Sequence, residues 1–181
     1  SACLPLIQST QRVGLAQLLR RSSLSKRKIT TSSIGYGLGP RINAAGRTEH
    51  ATFGVELLLT NDPREAELLS EKLETFNNQR RSIEMNTAEE AIGIVEEQGL
   101  YKNRVIVVAQ KGWHHGVLGI VASRVLARYY RPTIVISIDG DSARGSARSV
   151  MGFDMHQALH HCDDILEQYG GHKMAAGMNL K

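Results

Sequence analysis

Three glycine-punctuated segments hold the residues best equipped for chemistry: PRINAAGR at 40–47, RGSARS at 144–149 and YGGHKMAAG at 169–177. Each sets a cationic or imidazole side chain beside glycines, where the backbone can come close to a bound group. Glycine next to arginine suits phosphate, because backbone N–H groups and a guanidinium fork can converge on one anion. One such segment would carry little weight. Three in a chain of 181 residues make phosphate handling the leading reading.

Within these segments Arg47 offers a guanidinium that can offset charge on a phosphate, and Asn43 adds a hydrogen bond. In a loop the same pair can equally cap neighbouring backbone, and spacing alone leaves the two readings level. Arg41 reads as a structural salt-bridge partner. Ser146 and Arg148 lie two apart on an expected strand and so project from one face, which Arg144 shares; the competing reading is a solvent-facing edge strand with ordinary basic residues. Gly170 and Gly171 are expected to end a helix just before His172. His114 precedes an expected helix at Gly116, whose N-terminus favours anions.

Two other clusters carry less. His156 and His160 stand i, i+4, and 160–164 (HHCDD) is rich in ligand types, but no third ligand stands at a fixed spacing, so no metal site is expected there. The glycines at 35, 37 and 39 lack the preceding strand that a dinucleotide site requires.

The charge is unevenly spread. Residues 1–48 hold eight Lys/Arg and no acid, residues 49–99 twelve acids against four bases, and residues 100–181 ten bases against six acids, for a net +4. Positive potential thus gathers where the motifs lie, which favours a polyanionic partner, and the acidic middle reads as a solvated spacer. Hydrophobic content of 41% with 22% charged residues fits a soluble globular chain. No apolar run approaches the ~20 residues of a membrane helix, the first residues lack the order of a signal peptide, and Cys3 and Cys162 have no framework spacing. A reducing cytoplasm is the expected setting. Aromatic residues make up only 5%, so base stacking is expected to be modest, with Trp113, Tyr36 and Tyr169 as candidates and Trp113 alternatively core.

The elements that must position these residues begin with a short helix at 11–21, then a Ser/Thr/Gly-rich loop over 22–39 that leaves room for one helical turn. Asp62-Pro63-Arg64-Glu65 predicts a helix start, with Asp62 as N-cap, Pro63 at the first position and Glu65 closing a capping box. Leu69, Leu73, Phe76, Ile83, Thr87, Ala91 and Val95 recur at steps of three or four up to Gly99, predicting a connecting helix of about 35 residues and roughly 50 Å. Beyond it come a strand at 105–109, a helix at 116–130, strands at 133–138 and 143–150 about a turn at 139–141, a helix at 154–169 and a strand at 175–180. That order predicts a mixed-sheet α/β lobe.

The succession of PRINAAGR, long helix, GWHHGVLGIVASRV, GSARSVMGFDMHQAL and YGGHKMAAG resembles the RecJ family of the DHH phosphoesterase superfamily over roughly residues 30–181. PRINAAGR is the segment most particular to that family, whereas the GSARS and GGH segments belong to a DHH-associated domain shared more widely. The resemblance implies an α/β fold in which a mixed-sheet DHH-associated lobe is joined by a long connecting helix to a helical remnant of the catalytic domain, with divisions at 1–61, 62–99 and 100–181. It implies a 5′ to 3′ exonuclease specific for single-stranded DNA that works with two divalent cations, manganese or magnesium.

The family's Asp-His-His motif does not occur in this sequence and lies before the region of resemblance. The chain therefore resembles a piece that lacks the metal-binding motifs, binds no metal, cleaves nothing alone and has the missing N-terminal DHH domain as its partner. On the same basis Arg47, Asn43 and His172 are the catalytic candidates, and Ser146, Arg148, Arg144, His114, Gly170 and Gly171 the nucleic-acid-binding ones, with Ser146 and Arg148 gripping the 5′-terminal phosphate. The cationic loops are expected to grasp one unpaired strand together. The family usually carries an acid at the place of His115, so no role is carried to that position. The competing functions are a DHH phosphodiesterase for short oligonucleotides or cyclic dinucleotides, and a non-catalytic nucleic-acid-binding module.

Overall fold

The computed structural model describes residues 3–48 and 51–180. The chain divides into two compact units, residues 1–81 and 82–181. The first is helical: α1 (Cys3–Gln8), α2 (Val13–Arg21), α3 (Gly39–Thr48), α4 (Thr52–Leu59) and the first half of α5 (Pro63–Glu97). Leu18, Leu57 and Leu73 are fully buried in its core, each burial contributing about 1.5–3 kcal/mol. At Gly14 the helices α2 and α4 touch backbone to backbone, since a Cβ there would lie 1.6 Å from the Leu57 carbonyl oxygen. The segment after α2 is clamped by Gln8, whose Oε1 accepts the Ile29 N–H at 2.9 Å.

Two expectations for this unit change. A helix, α1, precedes the anticipated one. The stretch expected as loop winds into a π-helix at Ser33–Leu38 that runs directly into α3, so PRINAAGR is helical rather than a glycine-rich loop. Pro40, which has no N–H to donate, falls where the π-helix passes into α3, while Ala44 and Ala45 are wholly buried. Burial of that face outweighs the helix-weakening effect of Gly46.

The long helix α5 runs 35 residues, as the periodicity predicts. Its start differs in detail from a capping box. Asp62 Oδ1 accepts the Arg64 N–H at 2.8 Å, but the Thr60 hydroxyl intervenes on the other arm, accepting the Asp62 N–H at 3.1 Å and donating to Glu65. Gly99 ends the helix region in the left-handed conformation (φ +65°). The acidic middle is less solvated than its composition implies. Glu74 holds Arg41 by two bonds at 2.5 and 3.1 Å, Glu84 (4% exposed) holds Arg124 at 2.8 Å, Glu90 accepts from the Trp113 indole at 2.7 Å, and Glu96 takes Arg128 and Tyr129. These carboxylates fasten the helix to its own unit on either side of residue 81.

The second unit is a five-stranded mixed sheet in the order β1-β2-β3-β5-β4: β1 (Ile106–Lys111), β2 (Thr133–Asp139), β3 (Ser142–Arg148), β4 (Leu166–His172) and β5 (Ala175–Leu180), with β1 and β2 parallel and the other pairs antiparallel. Two helices cover opposite faces. α6 (Leu118–Tyr129) packs over β2 and β3, and α7 (Met155–His160) under β4 and β5. Val108, Val121 and Val135 lie in the core on the α6 side; Ala147, Met155, Ala176 and Met178 make the core on the α7 side.

The helix expected over 154–169 is replaced by α7, a 3-10 turn at Asp163–Ile165 and strand β4. Asp154 caps α7 by accepting the Gln157 N–H at 3.0 Å. Residues 166–172 instead pair with β5, whose edge would otherwise be left open. Gly170 and Gly171 therefore lie in a strand and do not end a helix. At the helix expected from Gly116, a 3-10 turn at His115–Val117 precedes α6.

Candidate functional site

The antiparallel register builds the principal site from rows of side chains on the α6 face of the sheet. Ser146 of β3 stands opposite Gly177 of β5, which stands opposite Gly170 of β4; Arg144 aligns with Asn179 and Gln168, and Arg148 with Ala175 and His172. Because α6 covers β2 and β3 while α7 covers β4 and β5 from below, the α6-side surface of β4 and β5 forms a trough. Its volume is about 430 Å³, and His115, Leu118, Arg144 and Ser146 are among its walls. Gly170 and Gly177 make its floor: a Cβ at Gly170 would meet nothing within 4 Å, and one at Gly177 only the Gly145 carbonyl at 4.0 Å. The glycines thus leave room above the strands for a bound group.

Ser146 and Arg148 project together beneath the first turn of α6. A Cβ on Gly119 would come within 2.6 Å of Arg148 Nη2 and 3.0 Å of Ser146 Oγ, so the glycine is what lets the helix close over this pair. Arg148 Nη1 donates to the Ala147 carbonyl at 2.8 Å and to Ser146 Oγ at 3.3 Å, which orients the guanidinium and the hydroxyl toward one another. A fixed fork beside a hydroxyl, both half-buried, suits a phosphate oxygen pair. Arg144, exposed one row away, borders the same trough.

Two histidines flank these rows. His172 ends β4, and its Nδ1 accepts the Met174 N–H at 3.2 Å; the neutral ring then carries its proton on Nε2, where it can donate. His114 does the same at the approach to α6, its Nδ1 accepting the Gly116 N–H at 3.1 Å. Gly171 belongs elsewhere. It faces the α7 side, at φ +146°, where a Cβ would meet the Ala175 carbonyl at 2.4 Å, so its glycine character serves the close β4–β5 pairing and not the trough.

In the first unit Asn43 and Arg47 are both exposed on α3, one helical turn apart and hence on one face. Helical spacing, rather than a loop, aligns them. Arg41 is the structural salt-bridge partner that its sequence setting predicts, bound to Glu74 and to the Gly37 carbonyl at 2.8 Å.

The aromatic candidates separate. Trp113 is core, 6% exposed with its indole on Glu90. Tyr169 turns to the α7 side, its hydroxyl 2.8 Å from His160 Nδ1 and its ring 5.9 Å from that of His156. Burial, and then the Asp163 carboxylate, hold its phenol above the ordinary tyrosine value. Tyr36 is 86% exposed. The histidine-rich stretch is bound up in protein contacts, His161 Nδ1 lying 2.7 Å from the Gln157 carbonyl. Among the described residues no three of His, Cys, Asp and Glu gather as a cation would need, so they do not fit the two divalent ions that the resemblance implies.

Sequence reasoning missed Gly119, Gly177, Gln168 and Asn179, and carried no role to His115, which lines the trough. Alternation at 168, 170 and 177, 179 would have shown them once β4 was read as a strand, and Gly119 and His115 stand one turn apart at the start of α6. Among the described residues no helix is long and apolar enough to cross a membrane.

Comparison with known proteins agrees with this geometry. The DHHA1 domain model matches residues 102–181. The single-stranded-DNA-specific exonuclease RecJ of Bacillus subtilis is 44% identical over 177 residues, 97% of this chain and 22% of that protein. The one from Escherichia coli K12 is 36% identical over 178 residues, 94% of this chain and 31% of that protein. The crystal structure of Thermus thermophilus RecJ with Mn2+ matches with a TM-score of 0.87 at 31% identity, covering 98% of this chain and 26% of that one, and its Mg2+ complex with a TM-score of 0.83. The chain spans less than a third of the length of these curated relatives. Residues 102–181 thus match the DHHA1 domain model, and over nearly its whole length the chain is similar to one part of the RecJ exonucleases.

Proposed function

We propose that this chain forms part of a metal-dependent 5′ to 3′ exonuclease of the cytoplasm that acts on single-stranded DNA. Its second unit grips the strand's phosphates in the trough. The observation that carries this reading is the Ser146–Arg148 pair, tied at 3.3 Å beneath Gly119, with Ser146 on the wall of the trough that Gly170 and Gly177 floor. A guanidinium fork and a hydroxyl bind the anion, the glycines admit the sugar–phosphate chain, Arg144 on the trough wall adds a further donor, and His172, in the row of Arg148, and His114 are assigned the phosphates beyond it. On α3, Asn43 and Arg47 present the amide and guanidinium that the resemblance assigns to the scissile phosphate, where a guanidinium offsets the growing charge. Manganese or magnesium, as in the Thermus relative, would be held by a DHH domain outside the described residues. The domain division proposed is 1–61, 62–99 and 100–181.

Binding by this chain to 5′-phosphorylated oligodeoxythymidylate, to duplex of the same length and to dinucleotides tests the reading. We expect preference for the long single strand and a log–log salt slope of about −0.7 for each phosphate neutralised. Arg148→Ala should weaken binding about ten-fold or more, as loss of a charge-assisted hydrogen bond requires. Equal affinity for dinucleotides would favour a short-substrate phosphodiesterase, and manganese-dependent cleavage by this chain would contradict the placement of the cations elsewhere.

A further inference from the structure

The trough is not isolated. His115 and Arg144 also line a second cavity of about 340 Å³ at the carboxyl ends of the parallel strands β1 and β2, shared with Gly112, Ser137 and Asp139. Two cavities therefore meet along His115 and Arg144. The His115 ring is exposed and lies on the ring of His114, with centroids 5.1 Å apart and planes 16° from parallel. His114 is itself pinned by its bond from the Gly116 N–H, so the pair is a backed aromatic plane and not a loose side chain. Gly112 adds no side chain and leaves open space at its Cβ position.

We propose that His115 is a nucleobase-stacking residue: its ring, supported by His114, receives a base of the strand whose backbone phosphate lies at Ser146 and Arg148. The inference rests on the phosphate reading given above. Stacking on an aromatic face tolerates every base, because each has a π-face, and it suits unpaired nucleic acid for that reason. The other rings near the trough do not offer such a face, Trp113 being buried and Tyr169 packed against α7. Arg144, on the same partition, can flank the base with its guanidinium plane. Asp139 and Ser142 also line the second cavity; the Ser142 hydroxyl donates to the Asp139 main-chain carbonyl at 3.1 Å, which leaves the Asp139 carboxylate as an acceptor for a base edge.

The test uses the full chain with two probes of equal phosphate count: 5′-phosphorylated oligodeoxythymidylate and the same strand with abasic tetrahydrofuran units in place of nucleosides. His115→Ala should weaken binding to the thymidylate strand about five-fold or more and leave the abasic strand unchanged, while His115→Phe restores the thymidylate affinity. Arg148→Ala should weaken both strands alike. Unchanged thymidylate binding in His115→Ala overturns the inference; so does an equal loss on both strands, which would make the residue a cation and not a stacking surface. Failure of Arg148→Ala to affect the abasic strand, or of the unmodified chain to bind either strand, would fell the phosphate reading itself. Unchanged thermal unfolding of the exposed-site variants, expected from the position of His115, separates these results from misfolding.

Discussion

Replacing Gly119 by alanine separates binding from folding at the trough. The added Cβ would lie 2.6 Å from Arg148 Nη2 and 3.3 Å from its Cζ, so the guanidinium must retreat by about 1 Å to reach ordinary contact. The obstacles are the far end of a flexible side chain and the Ser146 hydroxyl, 3.0 Å away, which needs to give by only a few tenths of an ångström, so the helix backbone need not move. The change gives up the Arg148–Ser146 bond, worth about 1 kcal/mol net, and gains up to about 1 kcal/mol of helix propensity. Stability should stay within about 1 kcal/mol of the parent, or about 4 °C in Tm. A displaced guanidinium, by contrast, forfeits a charge-assisted bond to phosphate worth about 1.5–3 kcal/mol, which is about 10- to 100-fold in Kd. Fluorescence anisotropy with a 5′-phosphorylated single strand reads the affinity, and circular dichroism reads the melt. Full affinity in a well-folded Gly119→Ala protein would refute Arg148 as a phosphate ligand; a Tm loss of several times the stated range would refute the claim that only a side-chain end must yield.

At Gly14 the obstacle is backbone, the Leu57 carbonyl 1.6 Å from the would-be Cβ, so Gly14→Ala should destabilise the first unit by at least about 3 kcal/mol in urea unfolding; near-parental stability would mean that α2 and α4 are free to part. Glu74→Ala removes both bonds to the largely buried Arg41 and is expected to cost about 1–3 kcal/mol, seen as a lower urea midpoint at constant m; an unshifted midpoint would show the pair to be energetically idle. The raised Tyr169 phenol, caused first by burial and then by Asp163, means that the unfolded chain loses this proton first. Its contribution to stability is whole below the unfolded tyrosine pKa of about 10 and falls as pH climbs through the higher folded value. Tyr169→Phe should therefore flatten the alkaline fall in Tm, and identical slopes in both proteins would contradict this.

Much of the second unit and all of α5 are visible in residue patterns, because their signals are local. The steps of three and four from Leu69 to Val95 repeat often enough to average out single exceptions such as Arg80, and Asp62-Pro63 marks the start with side-chain chemistry that acts within one turn. The failures come where partners are distant. Residues 166–169 are expected to finish a helix that Gly170 and Gly171 would end, yet 166–172 are drawn into the sheet by the unpaired edge of β5. PRINAAGR has a proline, an asparagine and a glycine that would suit a loop, yet Ala44 and Ala45 bury one face in the helical core. In both, packing outweighs a local preference of about 1 kcal/mol or less per residue.

Residue types alone determined that arginines, histidines and glycines gather in the basic segments on either side of a long acidic helix. They also placed Ser146 and Arg148 on one strand face, since alternation along a strand depends only on its own backbone. The tertiary structure decided what that face looks onto. Strand order set Gly177 and Gly170 beside Ser146, and the split of α6 and α7 between opposite faces left the trough uncovered. Register couples residues more than twenty positions apart, and no local pattern encodes which of them will stand side by side.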